Sequence, residues 1–312
     1  MAITAQQVKE LRELTDCGIM DCKRALTESD GDIEKAKAWL REKGMAKAEK
    51  KASRIAAEGT VADLITDDAK SGLIVEINIE TDFAANTPKF KTFVSNVSNH
   101  IMDKKPADVD ALFAQNLNID ASKTVLDYQK EAIADIGENT SIRRFALYEV
   151  NGMGSVASYI HAGGRVGVLV EIAVDNDDVI SNPVYKQMAK DLGMQIAASN
   201  PSWVAESDVP ASEIEKETEI ITNKALAEGK PEKIIADRIV PGQIKNFYKI
   251  NCLLNQEYVK DDSMTVAQYI DSVAKELGCA ISVVRFARFG LGEGIEKKAD
   301  DFAAEVMAQA GL

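Results

Sequence analysis

Gly59-Thr60-Val61-Ala62-Asp63-Leu64-Ile65 reappears 95 positions later as Gly154-Ser155-Val156-Ala157-Ser158-Tyr159-Ile160. At the same offset Gly72-Leu73-Ile74-Val75-Glu76-Ile77 falls on Gly167-Val168-Leu169-Val170-Glu171-Ile172, and Pro88, Phe90 and Lys91 fall on Pro183, Tyr185 and Lys186. Each copy holds two strand-forming runs and then a helical pattern, so the spacing predicts a two-stranded hairpin followed by a helix, built twice. A closing strand recurs as well. Gly137, Ile142, Arg144, Phe145 and Ala146 match Gly278, Val283, Arg285, Phe286 and Ala287 at an offset of 141.

The change of offset means that the second copy carries 46 additional residues before its last helix and strand. Two helical patterns account for them. One covers 212–227 and reaches a Gly229-Lys230-Pro231 tip; the other runs through Ile234, Ile235 and Ile239 toward Phe247. The expectation is an inserted helical hairpin at about 212–250, of the kind that often serves interaction.

Between the first hairpin and its helix stands Glu80-Thr81-Asp82-Phe83-Ala84-Ala85-Asn86. The preceding run, 73–79, alternates from Val75 on and reads as a half-buried strand, while Pro88 suits the first turn of a helix. Phe83 therefore sits at a strand-to-helix turn, either folded back onto the core or presented to a partner beside a carboxylate. Its counterpart in the second copy is Asp178. A ring needed by a shared core would have an apolar counterpart, as Ile74, Val75 and Ile77 do, so the mismatch favours the exposed reading.

The chain before the repeat is different in kind. Thr4 can cap a helix to about Leu14 with Val8, Leu11 and Leu14 on one face; Ile19 to Leu26 gives a second; Asp32 starts a third bearing Ile33, Ala36, Trp39 and Leu40. Three short helices with tight turns form a compact bundle of about 45 residues. Ile19 and Met20 at its first loop are either core filling or a docking spot. Residues 43–54 are rich in Lys and Ala with little apolar periodicity and read as a solvated helical linker.

Composition narrows the function. The 312 residues carry 37 Lys and Arg against 50 Asp and Glu, a net charge of -13. Such a surface repels phosphate backbones, which argues against direct nucleic-acid binding. Residues 1–60 hold 12 basic and 11 acidic side chains, so the excess acid lies beyond them and a boundary near residue 55 follows. Cys17, Cys22, Cys252 and Cys279 make no CxxC pair, and with His100 and His161 the only histidines neither a metal site nor a cofactor is expected. Met1-Ala2-Ile3-Thr4 leads into a charged helix without a signal-type apolar segment, and no run reaches spanning length. The reading is a reduced, cytoplasmic protein without a membrane role.

Val8-Lys9-Glu10-Leu11-Arg12, Met20-Asp21-Cys22-Lys23-Arg24-Ala25-Leu26, Gly31-Asp32, Thr81-Asp82-Phe83, Ile136-Gly137-Glu138-Asn139, Ile142-Arg143-Arg144 and Gly292-Glu293-Gly294-Ile295-Glu296 together resemble the bacterial elongation factor Ts family over essentially the whole chain. The resemblance implies an α+β fold: an N-terminal three-helix ubiquitin-associated-type domain with its linker (1–54), a duplicated α+β core (55–152 and 153–291) with the inserted hairpin, and a C-terminal module (292–312) ending in a helix at about 299–309. It implies a guanine-nucleotide exchange factor that binds GDP-loaded elongation factor Tu, displaces its magnesium and promotes GDP release. Thr81, Asp82, Phe83 and Ala84 would be the partner-binding group, with Phe83 as the wedge; Ile19, Met20 and His161 would be docking contacts. A homodimer or a 2:2 complex with the partner is compatible with the family. Two departures are Asp16-Cys17, where relatives more often have Gly-Ala, and Ala84, where Val is common.

Two other classes were weighed. Gly290-Leu291-Gly292-Glu293-Gly294 superficially suggests a dinucleotide loop, but only 18 residues follow and no Gly-Lys-Ser/Thr loop exists, so no catalytic residue is expected. A ubiquitin-associated-type binding adaptor would account for the first three helices and leave the repeat unexplained.

Overall fold

The computed structural model describes residues 3–15 and 17–296; Asp16, Met1, Ala2 and the expected C-terminal helix at 299–309 lie outside them. Three helices open the chain, α1 (Ala5–Thr15), α2 (Ile19–Glu28) and α3 (Ile33–Lys51). Thr4 caps α1 reciprocally with Gln7: the Gln7 N–H donates to Thr4 Oγ1 at 3.2 Å and the Thr4 N–H to Gln7 Oε1 at 3.0 Å. Asp32 caps α3 through the Lys35 N–H. The helices close on Val8, Leu11, Cys22, Ala25, Leu26, Ala36 and Leu40.

The rest of the chain alternates hairpins and helices. β1 (Glu58–Ile65) and β2 (Ser71–Ile79) precede a single turn, α4 (Asp82–Ala85), and then α5 (Pro88–Lys104) and α6 (Val109–Ala114). A small hairpin, β3 (Asn116–Leu117) and β4 (Asp120–Thr124), leads into α7 (Val125–Ile136) and β5 (Thr140–Glu149). β6 (Gly154–His161), β7 (Val166–Val174), α8 (Pro183–Ser199), the projecting α9 (Ala211–Ala227), α10 (Glu232–Ile234) and α11 (Val240–Asn251), then β8 (Glu257–Tyr258), β9 (Asp261–Thr265), α12 (Val266–Leu277) and β10 (Ile281–Gly290) complete it. The larger sheets have three strands each, ordered β1-β2-β5 and β10-β7-β6. The fold is thus mixed helix and strand with a helical N-terminal region. The chain divides into two compact units, one of residues 1–61, 75–145 and 291 onward, the other of 62–74 and 146–290.

The half-buried reading of β2 needs correcting. Every residue from Gly72 to Ile79 is buried, including the polar Glu76 and Asn78. Glu76 remains inside because both of its oxygens are paired, and Asn78 because its amide nitrogen is, although its Oδ1 has no partner. Glu76 accepts from Arg143 at 2.9 Å, from Arg144 at 2.6 Å and from the Gly292 N–H at 2.8 Å, and Asn78 donates to Glu76 and to the Glu58 carbonyl. The glycine-rich segment after β10 is therefore a structural turn. Gly292 has φ +68°, and a Cβ there would stand 2.4 Å from the Ala57 carbonyl oxygen, so only glycine brings its N–H to Glu76. Residues 43–54 are largely exposed, as expected of a solvated helical segment, but 43–51 continue α3 rather than form a separate linker. α3 continues to Lys51 and packs on α7, with Arg41 paired to Glu131 at 3.1 Å and Lys51 donating to the Gly137 carbonyl.

The second unit is built on β7, whose Val168, Val170, Ile172 and Val174 pack with Tyr185, Met188, Leu192 and Ile196 of α8 and Val266, Ile270 and Val273 of α12. Asp191, buried in α8, accepts from Lys260 at 2.6 Å, Gln187 at 2.7 Å, Tyr258 at 2.8 Å and Tyr269 at 2.9 Å. The projecting hairpin stands on hydrogen bonds between its two feet: Ser202 N–H to the Asn251 carbonyl, Leu253 N–H to the Trp203 carbonyl. Its returning helix is interrupted by a π-turn at 235–239. Pro241 explains the interruption, since its ring would clash with the Asp237 carbonyl in a continuous α-helix.

Candidate functional site

The chain leaves β2 at Glu80 and must reverse into α5 within eight residues. Two capped starts accomplish this. Thr81 caps α4, its Oγ1 accepting from the Ala84 N–H at 3.2 Å, and Thr87 caps α5 through the Phe90 N–H, with Pro88 in the first turn. Asn86 closes α4 by donating its side-chain amide to the Asp82 carbonyl at 2.9 Å.

This geometry turns Phe83 outward. Its ring is 84% exposed, the most exposed large apolar side chain among the described residues, and Asp82 beside it is exposed too. Ala84, grouped with them from the sequence, is buried at 7% and forms the floor of the turn, so it does not share the exposure of Asp82 and Phe83. The matching position in the second half, Asp178, is exposed, as the repeat required.

An exposed ring makes no packing of its own, so its place is set by the backbone that carries it. Glu138, just beyond α7, holds that backbone: its carboxylate accepts from the Thr81 N–H at 2.9 Å and from Thr81 Oγ1 at 2.9 Å. Next to it the Asn139 N–H donates to Glu80 at 2.6 Å, and the Asn139 side chain donates to the Ala52 and Arg54 carbonyls. Glu138 had no role in the sequence reading. The signal that could have found it is its counterpart, Cys279, a break in the repeat between two otherwise matched segments.

Ile19 and Met20, at the first turn of α2, are 53% and 67% exposed, which decides between core filling and surface display. His161, in the second unit, is exposed at the end of β6, and its Nδ1 lies 3.2 Å from Tyr159 Oη. The other histidine is a core residue. His100 Nδ1 accepts from the Asn118 N–H and Nε2 donates to Gln115, and burial holds its pKa below the ordinary imidazole value. Among the described residues no group of three or more His, Cys, Asp or Glu is placed to hold a metal, and no helix is long and apolar enough to cross a membrane.

An outward aromatic on a hydrogen-bonded turn, an exposed apolar pair at a helix start and a helical hairpin are surfaces of the sort that contact factors present. The comparisons name which kind. The family model described as elongation factor TS matches residues 80–293, beginning at the turn itself. The chain is 52% identical to elongation factor Ts of Trichlorobacter lovleyi over the full length of both, and 49% identical to that of Clostridium perfringens over 99% of each. Elongation factor Ts of Symbiobacterium thermophilum is 46% identical, again over 99% of both chains. The chain belongs to the elongation factor Ts family.

Proposed function

We propose that this protein is the guanine-nucleotide exchange factor of elongation factor Tu during translation elongation. It acts by binding rather than by covalent chemistry on its own residues. The observation that carries the reading is the Thr81-Asp82-Phe83 turn, whose phenylalanine is 84% exposed. Pressed into the GTPase beside its nucleotide site, Phe83 displaces the magnesium that bridges GDP to that protein, and the phosphates lose the largest local positive charge holding them. An exchange factor that binds the nucleotide-free state better than the GDP-bound state must, by linkage, weaken GDP binding by the same factor.

Docking is assigned to Ile19 and Met20 on a ubiquitin-associated-type domain (1–54), to His161, and to the C-terminal module (292–312). The two core parts, 55–152 and 153–291, are read as copies of one ancestral unit. The supporting detail is that matched residues make matched bonds. Glu76 accepts from Arg144 at 2.6 Å, and Glu171 accepts from Arg285 at 2.6 Å. Asn139 N–H donates to Glu80, and Ala280 N–H donates to Asp175. Thr124 and Thr265 form capping boxes at the starts of α7 and α12. The 212–250 hairpin is an added interaction device, the setting is the cytoplasm without nucleic-acid or membrane contact, and a homodimer or 2:2 complex fits such surfaces.

Release of a fluorescent GDP from purified elongation factor Tu tests the reading. Addition of this protein should accelerate release in a saturable way. Release at the intrinsic rate over the whole titration would refute it, and retention of many tagged proteins by the isolated N-terminal helices would favour the adaptor reading.

A further inference from the structure

We propose that Glu138 is the positioning residue of the exchange reaction: it fixes the Thr81-Asp82-Phe83 turn in its working direction without itself being the wedge. This rests on the reading of Phe83 as the wedge.

The argument begins with the hydroxyl of Thr81, which has one proton to give and lone pairs to accept with. As the cap of α4 it must accept from the Ala84 N–H, and that leaves its proton free to point in several directions. Glu138 removes the freedom. One carboxylate oxygen takes the Thr81 hydroxyl proton at 2.9 Å and the other takes the Thr81 N–H at 2.9 Å, so two donors of one residue are locked onto one ionic group. Phe83 follows two residues later, on a turn that Asn86 closes through the Asp82 and Phe83 carbonyls and that Glu138 ties to the neighbouring strand start. Preorganising the turn lowers the ordering cost of engagement and so favours the exchange-competent complex.

The second half of the molecule separates this role from mere scaffolding. The bond that the fold needs is present in both halves, since the Asn139 N–H meets Glu80 just as the Ala280 N–H meets Asp175. The carboxylate clamp is not. Where the first half has Glu138 against Thr81, the second has Cys279, whose thiol turns to Asp175, against Asn176. The clamp occurs in the half that carries an outward phenylalanine and is missing from the half that carries Asp178.

The test is stopped-flow release of fluorescent GDP from elongation factor Tu, with full-length variants titrated so that maximal rate and half-saturating concentration are read separately. Glu138→Ala should lower the maximal rate about tenfold while half-saturation stays within about twofold. Thr81→Val, which removes the hydroxyl from the other side of the clamp, should do the same, and Thr81→Ser should recover most of that loss. The double variant Glu138→Ala/Thr81→Val should be slowed by clearly less than the product of the two single losses, because the bond between the Thr81 hydroxyl and Glu138 is counted in both, while the Thr81 N–H bond and the Ala84 cap are each lost in only one. Effects that multiply in the double variant would overturn the proposal. So would an unchanged maximal rate in Glu138→Ala when Phe83→Ala has lost it. Normal release by Phe83→Ala would instead remove the wedge itself, and the positioning role with it.

Discussion

Arg144 donates to the fully buried Glu76 at 2.6 Å, and this pair joins β5 to β2 where the side-chain alternation of β2 would otherwise leave a charge in the core. Burial pushes the Glu76 carboxyl up, but the hydrogen bond from Gly292 and those from Arg143 and Arg144 outweigh it and hold the pKa below the ordinary carboxylate value. Glu76→Ala takes one acceptor from each of Arg143 and Arg144, which keep Glu293, and removes the acceptor of the Gly292 N–H. It should cost about 3 kcal/mol, the lower end for a broken buried pair, because both arginines keep some solvent. Urea denaturation of the variant checks this.

The same sign applies to Asp191. Burial raises its pKa, while Lys260, Tyr258, Gln187 and Tyr269 lower it further, so the net shift is downward. An acid whose folded pKa is depressed contributes stability that is complete above the unfolded pKa and disappears as pH falls through the folded one. Stability should thus be level at neutral pH and decline below about pH 4, the unperturbed carboxylate region. Asp191→Asn should be less stable at pH 7 and show a shallower decline. Equilibrium unfolding at a series of pH values measures both.

Phe83→Ala should cost under about 1 kcal/mol in stability, as an exposed side chain does, whereas truncating a buried phenylalanine costs roughly 3–5 kcal/mol. GDP release should fall strongly. Asp82→Ala should slow it as well, and Asp178→Ala at the matching position should leave it near normal. Melting curves and stopped-flow release on the three variants provide the comparison.

Ile19→Asp probes docking. The residue is exposed, so melting should hardly change, but a buried charge in the complex should raise the half-saturating concentration about tenfold or more. Deleting 1–52 is a poorer test than the sequence suggests, because it strips α3 from α7 and removes the Ala52 carbonyl that Asn139 binds.

Replacing 212–250 by a short Gly-Ser bridge should leave a cooperative melt. The cut spares both feet, Ser202 and Trp203 on one side and Asn251 and Leu253 on the other, together with the buried Cys252 and Leu253. Exchange should continue at reduced efficiency. Loss of the cooperative transition on calorimetry would show that the segment is integral.

The hairpins, their helices and the insertion were legible because periodicity and a fixed offset are properties of neighbours along the chain. Phe83 was legible because Asp178 stood opposite it in the repeat. Glu76 and Asn78 were not: alternation assigns such positions to solvent, and the Arg143, Arg144 and Gly292 groups that reverse the assignment lie far away in sequence. The length and packing of α3 escaped for a similar reason. The side chains that tie it to α7 include the ion pairs Arg41–Glu131 and Glu49–Lys130, and Lys51 donates to the Gly137 carbonyl just beyond; charged positions of this kind leave no apolar stripe. Glu138 escaped because its partner, Thr81, is 57 residues away.

A ring that is 84% exposed answers little to its own molecule. If Phe83 is the proposed wedge, substitutions at position 83 are filtered chiefly by the partner, whereas those at the buried Glu76 or Tyr185 are filtered by the fold. Over evolutionary time the two proteins can therefore adjust to one another at this point without renegotiating the core. In the laboratory, the same independence makes position 83 suitable for unnatural aromatic side chains that report on the pocket they enter.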